Sequence, residues 1–119
     1  MPTPLAGVVI DCAQPRHLAA FWTEVTGYRI AESEDDWVML VPPDGGVTIG
    51  LQKVPEPKLG KNRVHVDVLA QDVEVEAARI ERLGGRRLWT SDDPADVFIV
   101  LADPEGNEFC VIERHADPA

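Results

Sequence analysis

"WVMLVPPDGGVTIGLQK", residues 37–53, and "FIVLADPEGNEFCVIER", residues 98–114, are two versions of one pattern. Set one beneath the other they align without a gap. Val38 meets Ile99, Leu40 meets Leu101, Pro43 meets Pro104, Asp44 meets Glu105 and Gly45 meets Gly106. Further on, Gln52 meets Glu113 and Lys53 meets Arg114. Each copy is an apolar run, a Pro-acid-Gly turn and a second run. That is the pattern of a β-hairpin whose glycine takes a backbone conformation other residues resist. An internal repeat of this length organises the whole chain.

The segments before each hairpin repeat as well. "VVID" (8–11) and "VHVD" (64–67) are short strand patterns ending in Asp. A helical period follows each: Leu18, Phe21, Trp22 and Val25 in the first half, with Pro15 near its start, and Val73, Ala77, Ile80 and Leu83 in the second. Asp72 is placed to cap the second helix. Gly27 stops the first helix, Gly84 and Gly85 the second, and strands follow around Tyr28–Ala31 and Arg86–Thr90. The order is strand, helix and three strands, twice over. The reading is an α+β chain of two βαβββ modules, residues 6–54 and 63–114, joined by the Pro/Gly/Lys linker 55–62. Neither half is large enough to bury a good core alone, so the modules are expected to pack together or against a second chain.

Composition narrows the function classes. With 45% hydrophobic residues the chain reads as a folded domain, and no apolar run approaches the roughly 20 residues of a membrane helix. The opening "MPTPLAGVVIDC" has no basic region before its apolar run, so it does not read as a secretory signal, and a cytoplasmic protein is expected. Twenty-one acidic against 11 basic side chains give a formal charge of −10. A nucleic-acid partner is therefore not expected, since Lys58, Lys61 and Arg63 and the pair Arg86–Arg87 are too few to draw a phosphate backbone. Cys12 and Cys110 stand in no CxxC arrangement, which excludes a zinc-finger framework and suits buried thiols. No nucleophile elbow, P-loop, GxGxxG or HExxH is present.

The phrases "DCAQPRHLAAFWTEVTGYRI", "VHVDV", "IERLGG" and "LADPEGNEFCVIE", in that order, look like the small glyoxalase-like domains common in bacteria. On them the chain resembles the vicinal oxygen chelate superfamily, the group of glyoxalase I, bleomycin-resistance proteins and extradiol dioxygenases, over about residues 6 to 114. The resemblance implies a curved mixed sheet around a ligand pocket, with each helix on the convex face, and a homodimer. It is specific for fold and poor for function, because one fold hosts many activities.

Strand alternation then assigns faces. Val64, Val66 and Val68 are expected under the helix, and Arg63, His65 and Asp67 toward the pocket, with Gly7, Val9 and Asp11 as their first-module equivalents. Glu108, Cys110 and Ile112 share one face of the last strand, and in the ungapped alignment Cys110 matches Ile49. Metal-dependent members of the superfamily keep one His, Gln or Glu ligand on the first and last strand of each module. Carried over, those positions are Gly7 or Val9, Ile49 or Gly50, His65, and Cys110. Only His65 is a ready donor. No metal or other cofactor is therefore expected, and any divalent ion would sit at His65 with Cys110. Glyoxalase I activity needs the metal and a glutamate base, and Cys110 stands where that glutamate would be.

His65 keeps three readings: a pocket donor or general base, a residue hydrogen-bonded for structure, or a relic of a lost site. Cys110 as a nucleophile with His65 as its base is conceivable, though no motif supports it. Trp22 reads as core. Trp37 and Trp89 lie at strand ends near the pocket rim, where either could stack on a planar ligand, and Met39 shares the face of Trp37. "AESEDD" (31–36) and "TSDDPAD" (90–96) read as solvated turns, and His17 and His115 as solvated side chains. The resulting expectation is a binding protein that captures a small molecule between its modules, with His65, Arg63, Asp67, Cys110, Trp37 and Met39 as ligand-binding residues. The alternative is an enzyme of the same superfamily, a lyase, isomerase or dioxygenase that is metal-dependent or uses His65 as its catalytic acid–base group.

Overall fold

A computed structural model describes residues 2–113; Arg114 and His115 lie outside them. The chain divides after Pro57 into two compact units. The first runs β1 (Gly7–Cys12), α1 (Pro15–Thr26), β2 (Arg29–Ser33), β3 (Trp37–Val41) and β4 (Thr48–Lys53). The second runs β5 (Val66–Ala70), α2 (Val73–Arg82), β6 (Arg86–Thr90), β7 (Phe98–Ala102) and β8 (Glu108–Glu113). Each unit is one βαβββ module. Its sheet order is β1-β4-β3-β2 or β5-β8-β7-β6, with the first strand parallel to the last and the other pairs antiparallel. No described helix is long and apolar enough to cross a membrane.

Local chemistry sets the helix limits. Pro15 occupies the first turn of α1, where its missing N–H costs nothing, and Gly27 ends the helix with φ of 76°. Asp72 caps α2, its side chain accepting hydrogen bonds from the Glu74 and Val75 backbone N–H groups. Glu74 and Glu76 in the first turn and Arg79 and Arg82 in the last complement the helix dipole.

One face of each sheet is closed by its helix. Leu18, Ala19, Phe21 and Trp22 of α1 are buried with Val38, Leu40, Ile49 and Leu51 of the strands. The Phe21 and Trp22 rings meet edge to face at 5.3 Å. In the second unit, Val73, Ala77 and Ile80 are buried with Ile99, Leu101, Phe109 and Val111. Each large side chain so covered contributes about 1.5–3 kcal/mol. Asp103, only 3% exposed, is the buried acid of the second hairpin turn. Its carboxylate accepts from the Glu105 and Asn107 backbone N–H groups and the Asn107 side-chain amide.

The register corrects the repeat in two places. Leu40 lies opposite Ile49, but Leu101 lies opposite Phe109, so the first hairpin turn is one residue longer. The ungapped alignment fails at that turn: Ile49 is the counterpart of Phe109, and Cys110 matches Gly50 rather than Ile49. On the first strands, Val9 pairs with Gly50 and Asp67 with Cys110. Asp67 thus corresponds to Val9, and counting back, His65 corresponds to Gly7. The expected placement of Val64 beneath the helix is also wrong. Residues 63 and 64 form a bend, β5 starts at Val66, and Val64 is 75% exposed. The helix-facing positions of β5 are Val66, Val68 and Ala70.

The cap gives a direct test of the α2 assignment. Asp72→Ala should lower unfolding stability by about 0.5–2 kcal/mol in a urea titration, and Asp72→Asn should recover most of it. No loss in the alanine variant would contradict the capping role.

Candidate functional site

The second sheet turns its other face to a pocket of about 270 Å³, near the lower end for small-molecule sites. Alternation along the strands supplies the lining. Ile99 and Leu101 point to the core, so Phe98 and Val100 of β7 point to the pocket; on β8, Cys110 and Glu108 do the same beside buried Phe109 and Val111. A β-bulge between Arg87 and Trp89 shifts the register of β6. Arg87 is left to pair with Glu74 and Glu81 of α2, while Trp89 joins the pocket. The Trp89 and Phe98 rings lie 5.5 Å apart, and Trp89 is 54% exposed, so an aromatic wall stands open at the rim.

The polar groups come from β5, β8 and the segment before β5. His65 Nδ1 lies 2.9 Å from Asp67 Oδ1, with side chains 49% and 44% exposed. An acceptor at Nδ1 keeps the proton there and leaves Nε2 for a ligand. Cys110 lies directly across the parallel ladder from Asp67. Burial raises the thiol's pKa, the Asp67 charge raises it further and Lys61 opposes both, so the net shift is upward and the thiol is protonated at neutral pH. The donor atoms of His65, Asp67 and Cys110 all lie within 4.8 Å of one another.

Glu108 holds the pocket's basic edge. Its carboxylate accepts from the Asn62 backbone N–H at 2.9 Å and pairs with Lys58 Nζ at 3.0 Å, while the Asn62 side-chain amide donates to the Glu108 carbonyl. Burial pushes the carboxyl's pKa up, but the Asn62 and Lys58 hydrogen bonds outweigh it, and the net shift is downward. Residues 58–62, expected to be part of a linker, are thus tied to the last strand.

The corresponding face of the first unit is built differently. Trp37 occupies the position of Phe98, Met39 that of Val100 and Glu32 that of Trp89. The Trp37 indole N–H donates to Glu32 Oε2 at 2.9 Å, and its ring lies over Gly50. A Cβ placed on Gly50 would come within 2.3 Å of that ring, and one on Gly7 within 2.3 Å of Thr48 Oγ1. The two positions that match Cys110 and His65 therefore have no donor side chain and no room for one without rearrangement. Trp37 and Met39 are found in the first unit, while His65, Asp67 and Cys110 cluster in the second. Arg63, exposed in the bend before β5, is not among the pocket-lining residues. Lys61, Asn62 and Glu108 line the pocket in addition to the residues expected from the sequence. The signal that could have found Glu108 is its place two residues before Cys110 on the same strand face.

Residues 7–112 match the family described as glyoxalase-like domain. No curated protein matches the sequence. Solved structures that share the fold include a variant of the fosfomycin resistance protein FosX from Listeria monocytogenes, complexed with Mn(II) and 1S,2S-dihydroxypropylphosphonic acid. It is 14% identical with a TM-score of 0.78, over 94% of this chain and 90% of that one. A glyoxalase/bleomycin resistance protein/dioxygenase family enzyme from Burkholderia phytofirmans is 17% identical with a TM-score of 0.78, over 93% and 98%. The protein ATC0852 from Agrobacterium tumefaciens is 15% identical with a TM-score of 0.79, over 97% and 100%. At these identities the likeness is one of fold.

The Glu108 contacts make a pH-dependent prediction. A carboxyl whose folded pKa lies below its unfolded value of about 4.3 stabilises the fold above that value, and loses the contribution as pH falls through the folded pKa. Wild type should therefore melt above Glu108→Gln at pH 7, and the gap should close in acid below about pH 4. A gap that stays constant from neutral to acid would contradict this role.

Proposed function

The chain belongs to the glyoxalase-like domain family, and from that membership we propose that it captures a small, partly aromatic molecule in the pocket on the open face of its second βαβββ unit. The observation that carries the reading is the pairing, in one cavity of about 270 Å³, of an open aromatic wall with convergent polar groups. Trp89 and Phe98 offer ring faces, and Lys61, Asn62 and His65 offer donors for orientation. The four-ligand site of metal-dependent superfamily members has no part in this reading, because Gly7 and Gly50 stand at two of its positions. A homodimer belongs to the same proposal through the family resemblance.

A second reading is supported by the His65–Asp67 pair. A carboxylate 2.9 Å from Nδ1 holds the imidazole in one tautomer and makes Nε2 a usable base, which suits an acid–base enzyme of the same superfamily. Mn(II) in the Listeria FosX structure keeps metal-dependent chemistry within this alternative.

A thermal-shift screen of aromatic fragments tests the main reading. A ligand at one hundred times its dissociation constant adds about 2.7 kcal/mol and raises the melting temperature. Trp89→Ala, at an exposed site, should fold and lose the shift, and His65→Ala should reduce it. Shifts that survive intact in both variants would overturn the pocket assignment. Turnover of a hit compound that disappears in His65→Ala would favour the enzyme.

A further inference from the structure

Two pocket-lining residues, His65 and Cys110, and the neighbouring Asp67 form a donor set that differs in kind from that of a manganese centre. Mn(II) favours carboxylate, carbonyl and water oxygens, whereas thiolates favour zinc-like ions. Here the set is one imidazole, one carboxylate and one thiol, all from a single unit, with donor atoms within 4.8 Å of one another. We propose that His65, Asp67 and Cys110 form a binding site for a thiophilic divalent cation of the Zn(II) or Cd(II) type, rather than for a hard ion held by four ligands from both modules.

The backbone supplies the arrangement. Asp67 and Cys110 are direct register partners on adjacent parallel strands, and His65, just before the strand, is brought to Asp67 by their side-chain contact. Zinc takes nitrogen and oxygen at about 2.0–2.2 Å and sulfur at about 2.3 Å, so tetrahedral donors lie roughly 3.3–3.8 Å apart. To reach that range the 2.9 Å His65–Asp67 contact must open and the longer separations must close, and both side chains, about half exposed, have solvent on the side where they would turn. Three protein ligands would leave a fourth position open for water or a ligand atom. As the metal–sulfur bond forms, the Cys110 thiol gives its proton to solvent, and the thiolate and the Asp67 carboxylate together balance the ion's two charges. Lys61 opposes the cation; Lys58 is already held by Glu108.

The experiment uses the untagged 119-residue chain, dialysed against chelator and titrated with Cd(II) while the ultraviolet sulfur-to-cadmium charge-transfer band is recorded. One equivalent should develop the band, Zn(II) should displace it, and Mn(II) should not. Cys110→Ser should abolish the band, and Cys12→Ser should leave it unchanged. His65→Ala and Asp67→Asn should weaken binding by at least the roughly 10–100-fold that losing an outer-sphere partner costs. Because Cys110 is buried, His65→Ala at its exposed site keeps the test valid if the serine variant fails to fold. Absence of stoichiometric Cd(II) binding, a band that persists in Cys110→Ser, or binding unchanged in His65→Ala would each overturn the site. The fragment screen repeated in chelator separates this outcome from the small-molecule reading: shifts dependent on Trp89 that persist without metal leave that reading standing while the cation site falls.

Discussion

The parallel pairing of the first strand of each unit with its last is the constraint on which the rest depends. Parallel neighbours cannot be joined by a tight turn, so the chain must cross over, and α1 and α2 are the start of those crossovers. Each helix then covers one face of its sheet and leaves the other open. The same pairing sets strands far apart in sequence side by side. Asp67 meets Cys110 and Val9 meets Gly50 because of it. Chemistry at the open face is therefore decided by a few positions on the first and last strands, and by the residues that β6 and β7 hold against them.

The two units use those positions in opposite ways. In the first, Trp37 is anchored by Glu32 and lies over a glycine, so the space a side chain would occupy is taken by the indole ring. In the second, the smaller ring of Phe98 leans on Trp89, and Cys110 replaces the glycine. Trp in place of Phe, and Gly in place of Cys, exchange volume across the ladder. The register offset of one residue in the hairpin turns preserves the buried faces, since Ile49 and Phe109 both stay under their helices. Glu108 adds what the first unit lacks, an acid that fastens Lys58 and Asn62 beside the pocket.

Much of this was legible in the sequence. Hydrophobic period, the Pro15 and Asp72 helix starts and the Gly27 and Gly84 stops specified both modules, because those residues act through local backbone physics. Register was not legible to the same accuracy. A turn one residue longer conserves the Pro-acid-Gly phrase while sliding the second strand, and only the ladder shows that Cys110 faces Asp67. Val64 misled for a related reason: the alternation Val64, Val66, Val68 continues past the point where the chain bends and the strand begins. The grouping of His65 with Asp67 was visible from their spacing, whereas the tie of Lys58 and Asn62 to Glu108 depends on contacts 46 to 50 residues apart in the chain.

Indole N–H resonances of Trp22 and Trp89 offer the most direct measurement of the central claim, that the open face of the second unit is the working surface. Trp22 is buried beneath the sheet in the first unit, and Trp89 stands at the pocket rim of the second. During titration with a fragment that raises the melting temperature, the account predicts a saturable shift of the Trp89 signal with Trp22 unmoved. Saturable binding that leaves the Trp89 resonance in place would contradict it.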